Sequence, residues 1–227
     1  MLELVLLCAG CHGMAGEGRP EAGYPRLAGQ PEAYLVRQLE AYADGRRKSA
    51  VMEPLARSLS AQERTRLARE FSARTPLHRQ ARPLTSPRGE ALARVGDEAL
   101  RVQACQNCHG PLGRGQAPYG PSLAGLSQEY LRAELHAFRS GARATDPSGQ
   151  MPALARRLPE QDVAAVAAYY AGLPVPVLQR IEPLARHATQ PPTRADVGRE
   201  PSQGKDEQGS GATTGGAQGP AGGSTQR

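Results

Sequence analysis

Two short stretches of the chain repeat one arrangement of sulfur and imidazole: Cys8-Ala9-Gly10-Cys11-His12 and Cys105-Gln106-Asn107-Cys108-His109. All four cysteines of the 227-residue sequence lie in them, so none is left for a structural disulfide. CxxCH is the spacing of covalent haem attachment. Two thiols three positions apart at the end of a helix each add across one vinyl group of a haem, and the adjoining histidine is then held under the iron. Cys8, Cys11, Cys105 and Cys108 are therefore the candidate anchors, and His12 and His109 the candidate axial ligands. Met52 and Met151 follow these histidines by 40 and 42 residues and are the candidate ligands on the opposite face. A thioether sulfur there raises the reduction potential and closes the iron to outside ligands, which suits electron transfer rather than oxygen chemistry.

Other chemistries use the same residue types. Two CxxC pairs could form one four-thiolate zinc site. Against it stand the separation from Cys8 to Cys105, the histidine after each pair and the matched methionines. A thioredoxin-like dithiol needs a βαβ setting, and the sequence shows none. Met14 lies two positions after His12, too near to reach the opposite face of one iron. His78, His136 and His187 have no counterpart in a repeat and read as surface or loop residues. Lys48, close to Met52, is a minor competing ligand at high pH.

The elements that must position these groups repeat as well. Residues 8–75 and 105–174 run in parallel. After each CxxCH comes a glycine, Gly13 or Gly110, then Pro25-Arg26-Leu27-Ala28-Gly29 or Pro121-Ser122-Leu123-Ala124-Gly125. The two prolines, placed alike, suggest that a nearby backbone carbonyl accepts from the N–H of each histidine. Tyr34, Leu35 and Leu39 open an amphipathic stretch, and Tyr130, Leu131 and Leu135 another. A small-residue and arginine turn then leads to each methionine, and a helical pattern closes each copy, over 59–74 and 158–172. Ser60 with Glu63 predicts a capping box, and Gly172 before Pro174 a helix stop. Residues 96–104 read as a helix leading into the second motif, whereas only residues 1–7 precede the first, whose opening helix therefore looks truncated.

The expected class is all-α: two tandem domains of short helices and long loops, over 1–75 and 91–178, with a linker at 76–90. The linker holds Pro76, Pro83 and Pro87, and the polar stretch 179–227 is expected to be a disordered tail. Aromatic content is only 4%, with no tryptophan, so each core is small and a haem is the large apolar body that would fill it. Net charge is +6, and 26 of the 28 basic residues are scattered arginines, which argues against nucleic acid and for a solvated surface or an acidic redox partner. No segment is long enough to span a bilayer. The apolar start at residues 1–7 lacks the basic region and cleavage site of a signal peptide.

With these motifs the chain resembles a dihaem cytochrome c of the cytochrome c4 type, over about residues 1–178. The two CxxCHG motifs, the two Pro-x-Leu-Ala-Gly segments, the run Gly149-Gln150-Met151-Pro152-Ala153-Leu154-Ala155 and the stretch Ala167 to Leu173 carry the resemblance. It implies two lobes related by a pseudo-twofold axis, two covalently bound haem c groups with His/Met ligation, and internal electron transfer. It also implies a periplasmic or membrane-surface role, passing electrons from a quinol-oxidising complex toward a terminal oxidase. The expected function is thus an electron carrier without a substrate of its own. The alternative is the cytochrome subunit of a larger dehydrogenase of a sulfur compound, an alcohol or a flavin-linked substrate. A dihaem peroxidase or thiosulfate-oxidising enzyme needs an open iron, and a methionine in each repeat argues against it.

Overall fold

A computed structural model describes residues 2–77 and 86–175. The expected tail, most of the expected linker, His78 and His187 lie outside the described residues. The first lobe runs α1 (Leu2–His12), α2 (Glu32–Ala43), α3 (Met52–Ser58) and α4 (Ala61–Ala73). The second runs α5 (Pro87–Arg94), a two-stranded ribbon β1 (Gly96–Asp97) and β2 (Val102–Gln103), then α6 (Gln106–His109), α7 (Gln128–Ser140), α8 (Gln150–Arg157) and α9 (Glu160–Gly172). Thus α2, α3 and α4 recur as α7, α8 and α9, and α2 packs on α3 and α4 as α7 packs on α8 and α9. Among the described residues no helix is long and apolar enough to cross a membrane.

The boundaries follow from local chemistry. Ser60 caps α4: its Oγ accepts from the Glu63 N–H at 3.2 Å, and the Glu63 carboxylate accepts from the Ser60 N–H at 2.8 Å. Ser127 caps α7 through the Tyr130 N–H at 3.1 Å. Two expectations need correction. Residues 96–104 are not a helix but the ribbon, because Gly96 (φ 89°) and Arg101 (φ 54°) turn the chain out of the helical region. The helix before the second motif lies earlier, and its first turn occupies 87–90, inside the segment read as linker. There Pro87 starts α5 rather than breaking structure, and Ser86 caps it at 3.0 Å. Met52 and Met151 stand in the first turns of α3 and α8.

Each lobe has its own core. Val5, Leu35, Leu67, Ala68 and Phe71 form the first, with Cys8 and Leu27 against it. The second is larger: Leu92 of α5 and Val102 of β2 join Leu131, Leu158, Val163, Val166, Tyr169 and Tyr170, with Cys105 against them. The CxxCH motifs thus belong to separate cores, and their four thiols do not converge as a shared zinc site requires. Asp162, buried at the start of α9, accepts from Arg88 at 2.9 and 2.6 Å and so ties α5 down.

The lobes meet around a ring of six polar side chains. The Arg46–Lys48 and Ala142–Ala144 segments pair antiparallel, with Ala144 N–H donating to Arg46 O at 2.7 Å and Lys48 N–H to Ala142 O at 3.2 Å. This pairing sends Arg47 to the Tyr130 hydroxyl (3.0 Å) and Arg143 to the Tyr34 hydroxyl (3.1 Å), each across the junction. Both guanidiniums donate to Gln38 Oε1, at 3.1 and 2.9 Å. Both also donate to the Glu134 carboxylate, Arg143 at 2.7 Å. Each arginine is 5% exposed, so the one carboxylate is the counter-ion of two buried cations. Burial pushes the Glu134 carboxyl up, but the Arg143 and Arg47 charges outweigh it and hold it below the usual range.

Glu134→Gln leaves two buried guanidiniums without a counter-ion, and the expected cost is on the order of 3 kcal/mol in denaturant unfolding. A loss below about 1 kcal/mol, the value of an exposed pair, would mean that the ring does not hold the lobes. Because the folded carboxyl titrates below the unfolded one, its contribution is present above about pH 4 and fades as pH falls through the depressed value. That acid-dependent part of stability should vanish in the variant.

Candidate functional site

Helix α1 ends on the first motif. Cys8 and Cys11 sit one turn apart, and His12, 7% exposed, is its last residue. The chain then doubles back. Gly18 N–H donates to His12 O at 2.7 Å, and Gly16 O accepts from the N–H groups of Leu27 and Ala28 at 2.8 and 2.9 Å. This fold brings Pro25 O to 2.8 Å from His12 Nδ1. The second lobe builds the same loop. Gly115 N–H donates to His109 O at 2.7 Å, Gly113 O accepts from Leu123 and Ala124 at 2.8 and 3.1 Å, and Pro121 O lies 3.1 Å from His109 Nδ1.

An Nδ1–H donated to a carbonyl leaves Nε2 as the free lone pair, the atom a metal takes. Burial drives both imidazoles below their usual pKa, against the pull of the proline carbonyls, which favours the neutral form that a metal takes. Burial also pushes the Cys8 thiol up, and the Cys105 thiol to about 11.

A cavity of about 350 Å³ opens beside Cys8, Cys11 and His12, with Met52 and Leu55 of α3 also on its wall. Leu35, Leu39, Leu67 and Phe71 line it from α2 and α4, and Leu126, Tyr130 and Glu134 from the second lobe. The first candidate set is therefore gathered in one place. In the second lobe the Met151 turn meets the CxxCH helix: Cys108 Sγ lies 3.9 Å from Gln150 Oε1. Residues that the motifs did not reveal fix both methionine turns. Ser49 Oγ accepts from the Met52 N–H at 3.1 Å, and the Asp146 carboxylate from the Met151 N–H at 2.7 Å. A polar residue three to five positions before each methionine was the available signal.

The residues fit a haem. The first cavity is walled mainly by aliphatic and aromatic side chains, as a large apolar ring requires. On its wall lies Arg26, whose Nε is buried with no hydrogen-bond partner among the described residues, a donor suited to the acidic side groups of a haem. Cys8, Cys11, His12 and Met52 would hold one haem, and Cys105, Cys108, His109 and Met151 the other.

Comparison with known proteins identifies the family. The cytochrome c family model matches the chain twice, over residues 4–69 and 94–173. The chain is similar to a thiosulfate dehydrogenase electron acceptor of Thiomonas intermedia, at 42% identity over 171 residues that cover 74% of this chain and 79% of the relative. It is similar to a cytochrome c4 of Pseudomonas aeruginosa, at 37% identity, covering 74% and 84%. Among solved structures it resembles a thiosulfate dehydrogenase (TsdBA) from Marichromatium purpuratum, with a TM-score of 0.69 and 36% identity. That match covers 86% of this chain and 40% of the other, so the chain spans less than half of that protein.

Gly16 carries the loop that presents Pro25, at φ +75°, and a Cβ there would lie 2.7 Å from the Phe71 ring. Gly16→Ala should therefore lower the unfolding midpoint, with a cost on the order of 1–3 kcal/mol. An unchanged thermal transition would show that the loop does not need this close approach.

Proposed function

Because the chain belongs to the cytochrome c family, we propose that it is the dihaem electron acceptor of a dehydrogenase acting on thiosulfate. The chain carries two covalently bound haem c groups and moves electrons rather than transforming a substrate of its own. The observation that carries the partner is the ranking of identities, higher to the thiosulfate dehydrogenase electron acceptor than to the cytochrome c4. The structural likeness to a thiosulfate dehydrogenase supports it. Two-electron oxidation of a substrate releases a pair of electrons, and a chain with two one-electron centres takes up that pair without a second encounter.

The residues divide the work as follows. Cys8 and Cys11, with Cys105 and Cys108, anchor the groups, so that neither is lost between donor and acceptor. A haem iron supplies reversible one-electron exchange between its ferric and ferrous forms. His12 and His109 present Nε2 in a fixed orientation, because the Pro25 and Pro121 carbonyls hold the other nitrogen. Met52 and Met151 would supply a sulfur ligand each, which favours the reduced state and would exclude water and oxygen. Leu35, Leu67 and Phe71 keep water from the first site, which limits the reorganisation that accompanies each change of charge. The reading sets carrier and donor in the periplasm, since covalent haem attachment is completed outside the cytoplasm.

A second reading follows from the cytochrome c4 likeness: a freely diffusing carrier between a quinol-oxidising complex and a terminal oxidase. Stopped-flow mixing separates the two. Oxidised protein added to a thiosulfate dehydrogenase and thiosulfate should be reduced at both haems far faster than by thiosulfate alone. Equal rates with and without the dehydrogenase would overturn the first reading and leave the second. Met52→Ala and Met151→Ala should each open one iron to carbon monoxide, seen as a new absorbance band in the reduced protein. A variant that binds no more carbon monoxide than the parent would refute that ligand.

A further inference from the structure

In each lobe the carbonyl that orients the histidine belongs to a proline, and the next residue faces the lobe junction. Arg26 follows Pro25, and Ser122 follows Pro121. The two residues meet. Arg26 donates to Ser122 Oγ at 2.9 Å and to Ala124 O at 3.2 Å, while its other terminal nitrogen holds Ala28 O of its own loop at 2.6 Å. Gln30 adds a two-point pairing: its Nε2 donates to Ser122 O, and its Oε1 accepts from Ser122 N–H, both at 2.9 Å. Ser122 is fully buried and Arg26 is 4% exposed. The loops that hold His12 and His109 are thus stitched to each other through one buried contact.

The contact is one-sided. The repeat has Arg26 and Gln30 in the first copy but Ser122 and Leu126 in the second, so both donor side chains come from the first lobe. It is also charged. Among the described residues no carboxylate pairs with Arg26, whose remaining bonds are to carbonyls and a hydroxyl. Burial lowers its pKa to about 10, which still leaves it a cation at neutral pH. A positive charge with no protein carboxylate beside it, held in a low-dielectric interior, acts over longer distances than one in water, on an iron as well as on the acidic side groups of its haem. It disfavours the ferric iron, which carries one more positive charge than the ferrous, and so raises the potential of any haem within reach.

We infer that Arg26 is a positioning residue shared by the two haem sites, its charge and its bonds to the Pro25 and Pro121 loops setting the reduction potentials of both. The inference rests on the reading of His12 and His109 as the proximal ligands. A residue serving the first lobe alone would move one potential, whereas a residue on both proximal loops moves two.

The test is a spectroelectrochemical titration of the full chain matured with both haems. Each wave is assigned to its lobe beforehand by Met52→Ala and Met151→Ala, whose spectra change if those sulfurs are ligands. An unchanged spectrum there counts against the ligand reading, whereas the behaviour of the Arg26 variants counts for or against the inference. In Arg26→Met both midpoints should shift to lower potential, and in Arg26→Lys, which keeps the charge, both should return toward the parent values. Should Arg26→Met fail to fold, Ser122→Asp keeps Arg26 and sets a carboxylate against it from the other lobe. Both waves should again shift down, the first-lobe wave included. A shift confined to one lobe, or no shift, in the variant that folds overturns the inference.

Discussion

Everything in each lobe is arranged around one hydrogen bond, from a buried imidazole Nδ1 to a proline carbonyl. A histidine at the end of a helix can turn its ring freely unless its second nitrogen is held. Here the chain spends a whole loop on holding it, and the loop is itself held by backbone bonds to Gly16 and Gly113. The closing helix supports it from behind: Gly29 N–H donates to Phe71 O at 3.1 Å, and Gly125 N–H to Tyr170 O at 2.9 Å. Helix order, loop length and the glycines that permit close approach thus serve the orientation of one ring in each lobe. Proline suits the acceptor place, because its fixed φ limits how far the carbonyl can swing.

The second constraint is electrostatic. Buried cations are costly unless they meet acceptors, yet among the described residues the junction collects Arg26, Arg47 and Arg143 with a single carboxylate, Glu134. The ring around that carboxylate is nearly symmetric, tyrosine for tyrosine and arginine for arginine, and breaks symmetry only where Gln38 faces Glu134. A second glutamate at position 38 would neutralise the ring. Its absence leaves the junction positive, which suits groups that bring acidic side chains of their own.

The sequence made the chemistry legible because covalent attachment fixes residue types and spacing in a few positions. CxxCH, the matched methionines and the two proline-led segments stood out without any knowledge of packing. The capping box at Ser60 was equally plain, since both partners lie within one turn. The ribbon at 96–103 was hidden, because two-residue strands carry no periodicity and the turn rests on Arg101 adopting a positive φ. Helix α5 was hidden by its own first residue, a proline that reads as a break until Ser86 is seen to cap it. The junction was invisible for another reason. Arg47 and Arg143 look like surface arginines among many, and only the antiparallel pairing of two loops 96 positions apart turns them inward.

The two lobes are not equally self-sufficient. The second brings its own extra helix and ribbon, whereas the wall of the first is finished by Leu126, Tyr130 and Glu134, borrowed from its neighbour. A ribosome releases the first lobe first. The lobe that emerges earliest is therefore the one whose wall is finished last, by residues of the lobe that follows it. A haem attached before that lobe arrives would sit in a site still open on the side that Leu126, Tyr130 and Glu134 close.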